Sequence, residues 1–209
     1  MNIIERKRLV RKLVKILLTG GPSSGKSTAK EYIKKCFNTE RTAVVFVNET
    51  ATELMDAGLN HRRSIDNLTF QKALITLQRS KEEIYKKTAE DINKDIVLMV
   101  CDRGRLDGKA FSTEDEWNTV KETCNINEED ELNEYDAVFH LETPVVNGYT
   151  ISTNQYRTET PKEAYKRDRL LREVYKNHPN RYVIPSNPTI NGKMQELIAD
   201  IYVYLEDHS

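Results

Sequence analysis

The chain has 209 residues, with 32 Lys plus Arg against 33 Asp plus Glu. That length predicts one domain with a sizeable core, and the balanced charge gives no global attraction to nucleic acid or membrane. No apolar run approaches the ~20 residues that span a bilayer, and the scattered Cys36, Cys101 and Cys124 lack metal-ligand spacing, so a cytoplasmic protein without structural metal is expected.

Residues 5–13 hold Arg6, Lys7, Arg8, Arg11 and Lys12, either a solvated basic segment or a contact for anionic lipid or a partner. Met1 to Lys15 carries Glu5 and no uninterrupted apolar stretch, unlike a signal peptide. Lys15 to Thr19 is a short apolar, β-branched run that predicts the first strand. Directly after it, Gly20-Gly21-Pro22-Ser23-Ser24-Gly25-Lys26-Ser27 spells the phosphate-cradling loop G-x-x-x-x-G-K-[ST], followed by Thr28. Glycines there let the backbone aim successive N–H groups at one anion. Lys26 can reach the terminal phosphates, and the Ser27 hydroxyl is placed to ligate Mg2+. The next helix, with Ala29, Ile33, Cys36 and Phe37 at helical spacing, adds its positive dipole end. These features predict a nucleoside-triphosphate site, for ATP or GTP.

Thr42 to Val47 is an almost continuous apolar run, as expected of a strand buried on both faces of a parallel sheet, and it ends at Asn48-Glu49-Thr50. Ala51 to Ala57 suggests a short helix, and Gly58 to Asn67 a loop with Arg62 and Arg63. From Leu68 a helix is predicted with Phe70, Leu74, Leu77, Ile84 and Thr88 on one face. Ile96 to Cys101 is a third strand ending in Asp102-Arg103-Gly104. A weak helix surrounds Trp117 and Val120, Glu128 to Glu134 reads as a solvated turn, and Ala137 to Leu141 is strand four. Thr143 to Glu159 has no periodicity and reads as a long loop of the kind that forms lids. Thr160-Pro161-Lys162-Glu163 then starts a helix running to about Asn177. Arg181 to Ile184 gives strand five, and Met194, Leu197, Ile198, Ile201 and Leu205 a last amphipathic helix. Alternating strands and helices predict an α/β fold: a P-loop NTPase three-layer sandwich, with a five-stranded parallel sheet, helices on both faces and a lid over about 143–177.

In such a sheet, ligands collect at the carboxyl ends of the strands, where the phosphate loop, Glu49 and Asp102-Arg103 all fall. An acid just past a buried strand is the usual second anchor for Mg2+. Asp102 fits that role, or simply opens a tight turn. Glu49 is then free to act as general base toward a substrate hydroxyl, or serves a helix N-terminus. Arg157 and Arg167 bring positive charge to the lid. Arg167 with Asp168 interrupts the apolar face between Ala164 and Leu171, and a charge there suits a bound polyphosphate or a surface ion pair such as Glu163 with Arg167. Gln71, Arg79, Arg62 and Arg63 are candidate pocket residues, and Ser186-Asn187-Pro188 could touch the nucleotide base through its backbone.

Several stretches carry a family resemblance. They are Leu18 to Thr28, Val47 to Glu53, Cys101-Asp102-Arg103-Gly104-Arg105-Leu106-Asp107-Gly108, Tyr135 to Leu141 and Asn154 to Thr160, with His178-Pro179 and Asn191-Gly192-Lys193 nearer the end. On these the chain resembles P-loop kinase-like AAA-domain ATPases of the NAD-regulator type. Those are similar to the ribosylnicotinamide kinase domain of the NAD-biosynthesis regulator and to the nucleotide-binding domain of TRPL-translocation-defect proteins. The resemblance implies nucleotide binding and, less directly, phosphotransfer to a small molecule. Deoxynucleoside and thymidylate kinases share the layout, and that analogy implies Glu49 as base and Arg103 as a steadying group for phosphate or substrate. A signalling GTPase would carry Asn-Lys-x-Asp after strand four, where this chain reads His140-Leu141-Glu142-Thr143. A ring-forming remodelling ATPase would follow Asp102 with Glu; here Arg103 follows. Two readings stand: a kinase acting on an unidentified nucleoside-like acceptor, and a nucleotide-dependent regulatory module.

Overall fold

The computed structural model describes residues 12–61, 63–144 and 160–208. Arg62, Arg157 and the stretch 145–159 of the expected lid lie outside them. Five strands, β1 (Lys12–Thr19), β2 (Thr42–Val47), β3 (Ile96–Asp102), β4 (Ala137–Leu141) and β5 (Arg181–Ile184), form one sheet in the order β2-β3-β1-β4-β5. Every pairing is parallel. β1 starts earlier than its apolar run suggests, because Lys12 pairs with Ile96 at the far end of the ladder.

Alternation along the strands divides two cores. Val14, Ile16 and Leu18 of β1 join Leu98, Val100, Phe139 and Leu141 on one face, covered by α1 (Lys26–Phe37) and α7 (Ile190–Asp207). Leu17, Met99, Cys101 and Val138 point to the other, under α3 (Asn67–Ala89), α4 (Glu114–Cys124) and Tyr175 at the end of α6 (Pro161–Val174). Cys101 is fully buried, whereas Cys36 only packs partly against the core. The short helices α2 (Thr50–Asp56) and α5 (Glu128–Leu132), with the 3₁₀ helix Asp107–Phe111, complete the described elements.

Two expectations fail on the α3 side. Ile84 is 60% exposed, and α3 turns Gln71, Gln78 and Glu82 inward instead. Two of those polar groups are compensated by partners: Gln78 donates to Glu82 at 2.6 Å, and Glu82 pairs with Lys15 at 2.8 Å and with Arg105 at 2.7 Å. The acidic stretch after Asn127 is α5 rather than a solvated turn, since buried Glu131 accepts from Arg105 at 3.1 Å and pairs with Arg79. Arg79 therefore faces α5 and not a pocket.

Candidate nucleotide and acceptor site

The sheet register brings the predicted residues together. Leu18 stands opposite Asp102, and Val47 opposite Cys101, so the ends of β1, β2 and β3 open at one edge. The loop after β1 turns with φ of 139° at Gly20, 61° at Ser23 and 96° at Gly25. At Gly20 a side chain would also overlap the Leu141 carbonyl, so both conformation and space require glycine. Gly25 caps α1 without any side-chain bond to the helix N-terminus, the arrangement that suits an anion there. Lys26 is folded back on the loop, its ammonium donating to the Gly20 carbonyl at 2.8 Å, the Gly21 carbonyl at 3.0 Å and Ser24 Oγ at 3.2 Å.

Asp168 and Lys193 hold this loop from behind, and sequence reasoning gave neither that task. The Gly21 N–H donates to Asp168 Oδ1 at 2.8 Å, and Thr143 donates to the same oxygen through its N–H and its hydroxyl, each at 3.1 Å. His140 Nε2 lies 3.3 Å from it. Burial works to raise the Asp168 pKa, but these donors hold it below the usual carboxylate value. Asp168, not its neighbour Arg167, is thus the buried charge on α6. Lys193 donates to the Ser24 carbonyl at 2.8 Å and the Glu142 carbonyl at 2.5 Å, and burial lowers its pKa to about 8. A buried charge interrupting each amphipathic helix was the available signal.

Glu49 and Arg103 form the other wall. Arg103 Nε donates to Glu49 Oε1 at 3.0 Å, and Nη1 donates to the Gly20 carbonyl at 2.7 Å, so one guanidinium ties the phosphate loop to the end of β2. Glu49 Oε2 accepts from Thr52 Oγ1 at 2.7 Å. Burial alone would raise the Glu49 pKa; the charges of Arg103 and Lys26, with the Thr52 hydroxyl, outweigh it and bring it to about 2. Asp107 lies 3.5 Å from Arg103 and accepts from Tyr175 Oη at 2.7 Å; burial raises its pKa against those partners. Arg103 itself sits at φ 83°, a left-handed conformation a non-glycine residue seldom holds outside a constrained site.

Asp102 ends β3 with Oδ2 2.9 Å from Lys30 Nζ, while Oδ1 is buried without a hydrogen-bond partner. A hard-oxygen carboxylate with one buried, unpartnered oxygen at the end of β3 is a donor of the kind Mg2+ takes. Among the described residues no cluster of three or more His, Cys, Asp or Glu could cage a metal. A divalent ion here would rely on Ser27, Asp102 and the nucleotide's phosphates, which is how Mg2+ is ordinarily held.

Beyond Glu49 a cavity of about 890 Å³ opens between α3, the 3₁₀ helix and α6. Gln71 and Phe111 line it, and the Gln71 carboxamide oxygen is buried without a partner. Arg167 enters the same cavity, its guanidinium 5.1 Å from the Phe111 ring centre and donating to the Ala110 carbonyl. Arg63 is exposed, and the Asn187 side chain accepts from Thr189 N–H at 3.0 Å, bracing the start of α7.

A parallel sheet with a G-x-x-x-x-G-K-S loop between its central strand and first helix defines a P-loop nucleotide-binding domain. The chain matches a family model described as an AAA domain over residues 15–192, and it belongs to that family. No curated protein matches it. Among solved structures it is similar to deoxyadenosine kinase from M. mycoides with bound dATP. The identity is 15% and the TM-score 0.62, over 90% of this chain and 99% of that one. At that identity the likeness speaks for a kinase-type fold.

Proposed function

We propose that this chain is a small-molecule kinase, passing the terminal phosphate of ATP, with Mg2+, to a hydroxyl of a nucleoside-like acceptor. One observation carries the reading: Glu49 and Arg103 lie between the phosphate loop and a cavity large enough for such an acceptor. Lys26 and the α1 N-terminus would hold the triphosphate, within the loop Gly20 to Thr28. Ser27 and Asp102 would hold Mg2+, which supplies charge neutralisation on the phosphates. Glu49 accepts the proton of the acceptor hydroxyl as its oxygen bonds to the terminal phosphorus and the bond to the ADP oxygen breaks. Arg103 pairs with Glu49; drawn toward phosphate, it would release the carboxylate to that task. Arg167 adds positive charge to the cavity from α6.

The resemblance to ribosylnicotinamide kinase and translocation-defect domains, and the fold likeness to a deoxyadenosine kinase, support an acceptor with a base and a sugar hydroxyl. In this reading Phe111 offers an aromatic face and Gln71 an unpaired acceptor for a donor on the ring. The test is incubation with ATP or GTP, Mg2+ and a panel of nucleosides, followed by mass analysis. A phosphorylated nucleoside is the expected result. Tight nucleotide binding with no product from any acceptor would overturn transfer and leave a nucleotide-dependent regulatory module.

A further inference from the structure

Lys30 lies one helical turn beyond Lys26 and Ser27 on α1, on the side that faces the strand ends. Its ammonium is 2.9 Å from Asp102 Oδ2 and donates to Asn48 Oδ1 at 3.2 Å, so it reaches from the first helix across the ends of β3 and β2. Lysine and carboxylate differ in exposure: 23% for the Lys30 side chain and 8% for Asp102. The buried partner is fixed, and the flexible one has a path to solvent. Asp102 Oδ1 has no hydrogen-bond partner, so the carboxylate is only half compensated. The other half of α1 is anchored without this contact, through Ala29, Ile33 and Phe37.

We propose that Lys30 is a resident cation on the metal-binding carboxylate, and that it sets how tightly a divalent ion binds beside the nucleotide. The proposal rests on the assignment of Ser27 and Asp102 to Mg2+ made above. An ammonium and a divalent ion sharing one carboxylate repel each other, so the ion must either displace Lys30 or bind against its charge. The same ammonium covers Asp102 whenever no divalent ion is present, which spares the protein an unpaired buried carboxylate. Lys30 is therefore a positioning residue that acts through Asp102.

Mn2+, which electron paramagnetic resonance counts directly, is titrated into the full chain with ATP present, alongside Lys30→Gln, Lys30→Arg and Asn48→Ala. Removing one charge next to the ion should tighten Mn2+ binding about tenfold in Lys30→Gln, with Lys30→Arg close to the parent. Asn48→Ala, which frees the second anchor of the ammonium but leaves Asp102 paired, should shift affinity less and in the same direction. It also keeps the proposal testable should Lys30→Gln fold poorly. Unchanged or weaker Mn2+ binding in both neutral variants, with ATP affinity intact, overturns the proposal. A lower melting temperature with no change in Mn2+ affinity does so too, because Lys30 would then only support the fold. Failure of the underlying metal assignment has another signature: Asp102→Asn would bind Mn2+ in the presence of ATP as the parent does.

Discussion

Glu49 faces opposing demands, as the partner of Arg103 and as the proposed base in the reaction. Its pKa falls from 4.5 to about 2 on folding. A carboxylate lowered in this way contributes stability that is fully present above about 4.5 and is lost as pH falls through about 2. Arg103→Met removes the nearest of the opposing charges and leaves burial, which pushes the pKa upward. Acid unfolding followed by circular dichroism should then begin at a higher pH in the variant; coincident transitions would refute the pairing as its cause. Glu49→Gln separates binding from chemistry: kcat should fall by about 10²–10⁴-fold, with ATP affinity unchanged. That Lys26, Ser27, Glu49, Asp102 and Arg103 gather at one edge was legible because each lies at or beyond the carboxyl end of a buried strand. The loop-bracing contacts of Asp168 and Lys193 were not: a charge on an apolar helix face signals burial, but partners such as the Gly21 N–H or the Ser24 carbonyl leave no mark in the sequence.

At the scale of elements, α3 explains both what periodicity reads and what it misses. The apolar repeat of Phe70, Leu74, Leu77 and Ile84 is helical, so the helix was legible, but its buried stripe is rotated toward Gln71, Gln78 and Glu82. Gln78 links the two sides of the site, accepting from the Thr50 hydroxyl and donating to the Arg103 carbonyl at 3.3 Å. It also donates to Glu82 Oε1 at 2.6 Å, an oxygen shared with Tyr135 Oη, while Lys15 and Arg105 converge on Oε2 of the same carboxylate. A polar stripe reads as an outer face until its partners, tens of residues away, are known. Glu82→Leu would leave Lys15 and Arg105 short of their common buried counter-charge, a loss of about 3–5 kcal/mol by urea unfolding. A loss below about 1 kcal/mol would mean that Glu131 and Glu134 suffice. The helix α6 shows the converse. Its start was legible from Thr160, Pro161 and Glu163, which form a full capping box. Its function lies in three contacts of distant origin: Arg167 with Ala110, Asp168 with Gly21, and Tyr175 with Asp107.

For the whole molecule, the alternation of strands and helices implies a parallel sheet, whereas the order β2-β3-β1-β4-β5 depends on crossovers that no local pattern encodes. That order matters because it seats β1 between β3 and β4, so the phosphate loop meets Asp102 and Arg103 on one side and Leu141 to Thr143 on the other. A ligand in that crevice touches the ends of several strands and two helices at once, and binding there should stabilise the fold as a unit. ATP at a hundred times its Kd adds about 2.7 kcal/mol, which for a chain of this size raises Tm by about 5–10 °C. Lys26→Met should abolish most of that shift, because the loop loses its only side-chain cation and its ties to Gly20, Gly21 and Ser24. Glu49→Gln should keep the shift while losing the proposed turnover, since Glu49 lines the cavity and, among the described residues, makes no hydrogen bond to the loop itself. Thermal denaturation of the two variants with and without ATP therefore separates the phosphate cradle from the transfer machinery. Equal shifts in Lys26→Met and the parent would place nucleotide binding somewhere other than the loop after β1.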